Sequence, residues 1–334
     1  MRKFRIRLVG LLCVLALLVL PLSGCTASTD KVTVTLSEVT HSVFYAPQYV
    51  ALELGFFADE GLTIELSSGE GADKVMAGVL SGGIDIGLAG PEAAVYVYNE
   101  GRDNFAQVFA QLTQRDGSFL VAREPDDNFT WDKLKGKHVL PGRVGGVPYM
   151  TLCHVLTENG LDIENDLTLD SSIQFALMTS AFTSGTGDYV TVFEPTASQL
   201  EANGQGYIVA SVGEAAGSIP YTAYFASREY LTENKDTVMA FTRAIYRGQQ
   251  WVNTHTAAEI AMAVQKSFPD SDIATLTSAI QRYQDIDAWC DTPLMTSEAF
   301  DSLQEIISEA GELAKKAPYN PVVNTEFANA VTQE

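Results

Sequence analysis

From Lys31 onward the chain alternates strand signals with helix signals, and this alternation restricts its fold more than any other feature. Val32-Thr33-Val34-Thr35-Leu36 alternates as a strand should. A helix follows over 47–55, with Pro47 in its first turn, where proline is favoured. Residues 62–66 form the next strand. A helix over 72–80 is stopped by Ser81-Gly82-Gly83, residues 84–88 make a third strand, and Pro91 opens a helix through Asn99. Repeated strand–helix units of this length predict an α/β fold with mainly parallel sheets flanked by helices.

A second block spans 131–212. It contains a strand over 137–140, a glycine-rich turn, a helix over 148–159 and strands over 189–193 and 207–210. The chain returns through a strand over 221–226, and 234–317 reads as amphipathic helices. With 334 residues, 46% of them hydrophobic, the chain suits two lobes better than one compact body. Crossings near Val121 and Tyr221 give one lobe from 31–121 with 221–334 and another from 122–220. Small ligands bind in clefts of the kind this leaves between lobes.

The amino terminus carries Arg2, Lys3, Arg5 and Arg7, then an apolar run from Leu8 to Leu20, then Pro21-Leu22-Ser23-Gly24-Cys25. The run is short for a membrane span, and the order basic, apolar, small is that of a secretory signal over 1–24. Leu-Ser-Gly-Cys resembles the bacterial lipobox. That resemblance implies an acylated Cys25 as first mature residue, a tether over 25–30 and an extracytoplasmic, lipid-anchored protein. An ordinary signal peptide or a short anchor helix is the plainer alternative. Cys13 leaves with the signal, so Cys153 and Cys290 remain, expected as buried free thiols on separate helices in separate lobes. Neither sits in a Cys-x-x-Cys or Cys/His cluster, so no metal and no cofactor is expected. The formal net charge of -21 opposes nucleic-acid binding and favours solubility.

Three segments carry a family resemblance. The first is Tyr45-Ala46-Pro47-Gln48-Tyr49-Val50-Ala51-Leu52-Glu53-Leu54-Gly55-Phe56-Phe57, with Glu60-Gly61-Leu62. The others are Ser81-Gly82-Gly83-Ile84-Asp85-Ile86-Gly87 and Leu134-Lys135-Gly136-Lys137. Together they resemble the periplasmic-binding-protein family that takes in binding proteins for aliphatic sulfonates, taurine, nitrate and pyrimidine precursors of thiamine. The resemblance runs in order along the mature chain. It implies the two-lobed type II fold, a monomer that captures a small molecule by lobe closure, and an ABC permease with its ATPase as partners. It leaves the ligand open.

In open α/β sheets ligands sit beyond the carboxyl ends of strands. After the first strand this nominates Thr40, His41, Ser42, Phe44 and Tyr45. Phe44 and Tyr45 are candidates to stack on a planar ring, unless one packs inward, and His41 serves either a ligand or the structure. After the third strand come Gly90 and Glu92, the acid facing a ligand or complementing the helix dipole. Gln111 and Arg115 end another strand. In the second block, Arg143, Gly145 and Gly146 lie in a glycine-rich loop that suits an anion, without the Gly-Lys-Ser/Thr of a nucleotide-hydrolysing loop. Glu194, Gln174 and Tyr221 complete the set, with Glu194 assigned to an amino group or a protonated ring nitrogen.

Two ligand classes follow. Phe44, Tyr45 and Glu194 suit a thiamine-related pyrimidine or similar heterocycle, and the reading leans that way. The Arg143 loop suits a sulfonate, taurine or nitrate. An enzyme is the rival from another class, because the family also resembles fungal enzymes that make the thiamine pyrimidine. Those carry a cysteine-rich motif, whereas this chain has four cysteines in all and no Gly-x-Ser-x-Gly elbow, so a non-enzymatic role is expected. A sensor module is a third reading and would call for an attached output domain.

Overall fold

A computed structural model describes residues 31–334; the signal, Cys25 and the tether lie outside the described residues. Its strands fall into two five-stranded sheets. The first is ordered β2-β1-β3-β10-β4, from β1 (Val32–Glu38), β2 (Leu62–Ser68), β3 (Ile86–Ala89), β4 (Ala106–Thr113) and β10 (Thr222–Ser227). The second is ordered β7-β6-β8-β5-β9, from β5 (Ser118–Ala122), β6 (His138–Leu140), β7 (Thr168–Leu169), β8 (Tyr189–Phe193) and β9 (Tyr207–Ser211). This is the two-lobed α/β fold expected from the strand–helix alternation.

The sheets share one plan. β1, β2 and β3 run parallel, as do β6, β7 and β8. In each sheet the first strand after a crossing inserts antiparallel: β5 between β8 and β9, β10 between β3 and β4. Parallel strands need crossover helices, and these cover both faces. The first crossing is 114–117, a few residues before the expected Val121, because Val121 already pairs with Val190 inside the second sheet.

The carboxyl-terminal helices bind the lobes together. The helix Lys235–Val252 packs on the helix Ala46–Glu53 of the first lobe. The helix Ile273–Asp285 reaches from the turn Val43–Tyr45 to the second-lobe helix Thr196–Ala202, and Ser297–Glu309 touches the second-lobe helix Val147–Glu158. Residues after Tyr221 therefore serve both lobes. One apolar cluster runs through both, joining Leu36, Phe44 and Tyr224 to Phe119, Val190 and Phe193. Cys153 and Cys290 are buried and free; Cys153 is helical, whereas Cys290 follows a bridge residue outside any helix. Among the described residues no helix is long and apolar enough to cross a membrane, and no cluster of His, Cys, Asp or Glu is placed to hold a metal ion.

Candidate functional site: a cleft between the lobes

A cleft of about 280 Å³ opens where the carboxyl ends of both sheets face each other. The first lobe contributes Tyr45, Gly90, Glu92 and Glu70–Lys74, and the second contributes Arg143, Gly146, Ser171–Phe175 and Phe193. Tyr221 and Thr222, at the start of the returning strand, close the back. Of the residues proposed from sequence, the structure thus gathers Tyr45, Gly90, Glu92, Arg143, Gly146, Gln174 and Tyr221 at one place.

Glu92 sets the electrostatics. It opens the helix Glu92–Asn99 after β3, is 1% exposed, and has an unpartnered Oε2. Burial pushes its carboxyl up to about 7, while its own amide, the Arg143 charge and the amides of Val147 and Ala93 pull the other way. Gly90 makes the arrangement possible, since a Cβ there would collide with the Glu92 carboxylate. The acid therefore faces the cleft from the first turn of its helix.

The aromatic wall is built in two ranks. Tyr45, Phe193 and Tyr221 line the cleft, and Phe44 stands behind all three, with ring centroids at 5.6, 5.5 and 5.6 Å. Phe44 is fully buried, its ring against Gly117 and its carbonyl accepting from Trp289 Nε1 at 2.8 Å. Phe44 therefore packs inward and only Tyr45 of the pair reaches the cleft. Behind Tyr221, whose hydroxyl has no partner, lies the buried Asp116, raised by burial to about 7.

Several proposed residues have other work. Glu194 is fully buried, but its carboxylate accepts from the Ser198 amide at 2.8 Å, the Ser198 hydroxyl at 2.9 Å and Arg282. Arg282 also reaches Glu201 at 2.9 Å, so this carboxylate ties the helix Ile273–Asp285 to the second lobe and is not open to a ligand in the cleft. His41 is held by Glu38, Tyr49 and the Ser267 carbonyl and stacks on Phe268 at 4.5 Å, a structural arrangement. Gln111 is buried in the first lobe, donating to Thr113 O at 3.0 Å. Arg115 sits in the crossing with a buried, unpartnered Nε and lines none of the cavities described here. Gly145 adopts φ +76 and lends its carbonyl to Tyr96, which donates across the lobes at 3.0 Å. Thr40, Ser42, His41 and Glu194 border a separate, smaller cavity of about 170 Å³.

Sequence reasoning missed Phe193, Phe175 and the polar run Glu70–Lys74. Phe193 was the last residue of an identified strand, so the strand-end rule already pointed to it. Glu70 has φ 57 and precedes a helix start, a loop geometry that leaves only a faint trace in sequence.

Comparison with known proteins adds four findings. Residues 28–266 match the family model described as the NMT1-like family. The chain is 44% identical over 326 residues to YtlA of Bacillus subtilis (strain 168), a protein whose name proposes a binding role, covering 97% of this chain and 98% of that one. Its fold is similar to that of the alkanesulfonate-binding protein SsuA from Xanthomonas axonopodis pv. citri bound to MOPS, at TM-score 0.72 and 16% identity, covering 89% of this chain and 100% of that one. A ligand-binding component of an ABC-type import system from Staphylococcus aureus is similar at TM-score 0.71 and 13% identity, covering 91% and 100%.

Proposed function

From the premise that the chain belongs to the NMT1-like family, we propose that it is the extracytoplasmic solute-binding component of an ABC-type importer, leaning to an amino-bearing planar heterocycle such as a thiamine-related pyrimidine. The names of its fold relatives support the transport class. A permease and an ATPase are its expected partners, and acylation of Cys25 its expected anchor.

One observation carries the ligand reading: a nearly fully buried carboxylate without a partner at Oε2, set beside aromatic side chains in an interlobe cleft. An unsatisfied buried polar atom costs about 1–3 kcal/mol, and a ring amino group or protonated ring nitrogen would offset that cost. Tyr45, Phe193 and Tyr221 supply the apolar, polarisable wall a flat ring prefers. Glu92 thereby takes the role that sequence reasoning gave to Glu194. The charged lining is Glu70, Asp73 and Glu92 against Lys74 and Arg143, a balance that disfavours an anion.

The second reading, a sulfonate, taurine or nitrate, is favoured by the ligand named for SsuA and by Arg143. That side chain is half-exposed and only 3.9 Å from Asp73, free to turn toward an anion. Calorimetric titration of the chain from Thr26 onward, with aminopyrimidines, thiamine, taurine, alkanesulfonates and nitrate, separates the two. The heterocycle reading expects an aminopyrimidine to bind and Glu92→Gln to weaken it by about tenfold or more. Binding of sulfonates or nitrate alone, abolished by Arg143→Ala and indifferent to Glu92→Gln, would reject it.

A further inference from the structure

We propose that the cavity of about 170 Å³ beside the cleft is a subsite for a neutral, hydroxyl-bearing substituent on the ligand ring, so that the solute has two parts. This rests on the proposed heterocycle site and extends it.

The cavity is bordered by Thr40, His41 and Ser42 from the first lobe and by Thr179, Thr191, Glu194 and Thr196 from the second. It shares Phe175 and Phe193 with the main cleft, so these two rings, 5.7 Å apart at their centroids, are the partition between the chambers. Phe175 sits on a single short turn, Phe175–Leu177, and is half-buried. A substituent leaving the cleft past its edge enters the second chamber.

The lining chemistry selects what that substituent is. The hydroxyls of Thr40, Thr179 and Thr196 make no side-chain hydrogen bond among the described residues, and each both donates and accepts. The basic side chains nearby are committed: Arg282 to Glu194, Ser198 and Glu201, and His41 to Glu38 and the Ser267 carbonyl. A phosphate or sulfonate would find no free cation here to balance it, and an apolar tail would strand the hydroxyls. A polyhydroxylated group pairs with them in both directions.

Cytosine, cytidine and cytidine 5′-monophosphate present one ring with no tail, a hydroxylated tail and an anionic tail. Calorimetry is expected to show cytidine binding about tenfold or more tighter than cytosine, with the monophosphate weaker than cytidine. The double variant Thr179→Val, Thr196→Val keeps the volume and removes two hydroxyls. It is expected to bring cytidine to within about threefold of cytosine while cytosine binding itself, the control for folding, is unchanged. Cytidine binding no tighter than cytosine, or indifferent to the double variant, overturns the subsite and leaves the ring site standing. Failure of every ring compound, cytosine included, overturns the ring site and the subsite together.

Discussion

A carboxylic acid buried at the mouth of a helix is a pH-dependent element of stability, and Glu92 shows the sign. Its carboxyl is pushed up to about 7 in the folded chain from an ordinary 4.5, mainly by burial. Between those values the folded state holds a proton that the unfolded state has lost, so stability falls as pH rises through that window. The shift corresponds to about 3 kcal/mol at full ionisation. Asp116 is raised to about 7 from 3.8 and adds in the same direction. Without ligand the wild type is therefore expected to melt lower at pH 8 than at pH 5. Glu92→Gln, a close mimic of the protonated acid, is expected to melt near wild type at pH 5 and above it at pH 8. Melting curves of both proteins across this range check it; parallel curves would mean that Glu92 is solvated in the cleft. At this scale the sequence was half legible. Glu92 stood out by its place after the third strand, yet nothing local told a ligand acid from a helix-capping one. Glu194 stood out equally, and its fate was decided by Arg282, 88 residues away.

Elements obeyed the sequence where their signal was local and lost it where the sheet supplied the context. β1, β2, β8 and β9 lie where alternation and β-branching placed them, and Ala72–Leu80 ends at the expected glycines. β5 was missed because Ser118-Phe119-Leu120-Val121-Ala122 is buried throughout and has no alternation to read. Only four residues separate it from β4, so the change of lobe leaves no long linker to mark it in the sequence. The helix Lys235–Val252 carries a similar hidden constraint. Gly248 lies in its last turns, where alanine would ordinarily be favoured by about 1 kcal/mol. A Cβ there would collide with the Pro47 carbonyl of the helix Ala46–Glu53, backbone that has no rotamer to yield. Gly248→Ala is therefore expected to destabilise the protein by about 1–3 kcal/mol, read as a lower urea midpoint at unchanged slope. A midpoint that rises would show the two helices are free to part.

At the scale of the molecule, what matters is the set of contacts that exist only when the lobes meet. Tyr96 on the first lobe donates to the Gly145 carbonyl on the second at 3.0 Å, and His154 Nδ1 lies 2.8 Å from Glu309 where Val147–Glu158 meets Ser297–Glu309. Arg143 approaches Asp73 across the mouth at 3.9 Å. Glu92 and Tyr45 come from one lobe, Phe193 and Arg143 from the other, so a solute touching all four binds this arrangement better than an open one and shifts the population toward it. Small-angle scattering is then expected to show a smaller radius of gyration with saturating ligand than without. Tyr96→Phe removes the interlobe hydrogen bond to Gly145, with the weak 3.6 Å contact to Met150 Sδ, but no residue that lines the cleft, so it taxes closure alone. A neutral hydrogen bond is worth about 0.5–1.5 kcal/mol, which sets the expected loss of affinity at about two- to twelvefold, with the same compact bound state at saturation. Unchanged affinity in this variant would mean that the Tyr96–Gly145 contact persists in the open form. The hinge motion would then lie elsewhere, about the crossing 114–117 where Asp116 stands behind Tyr221.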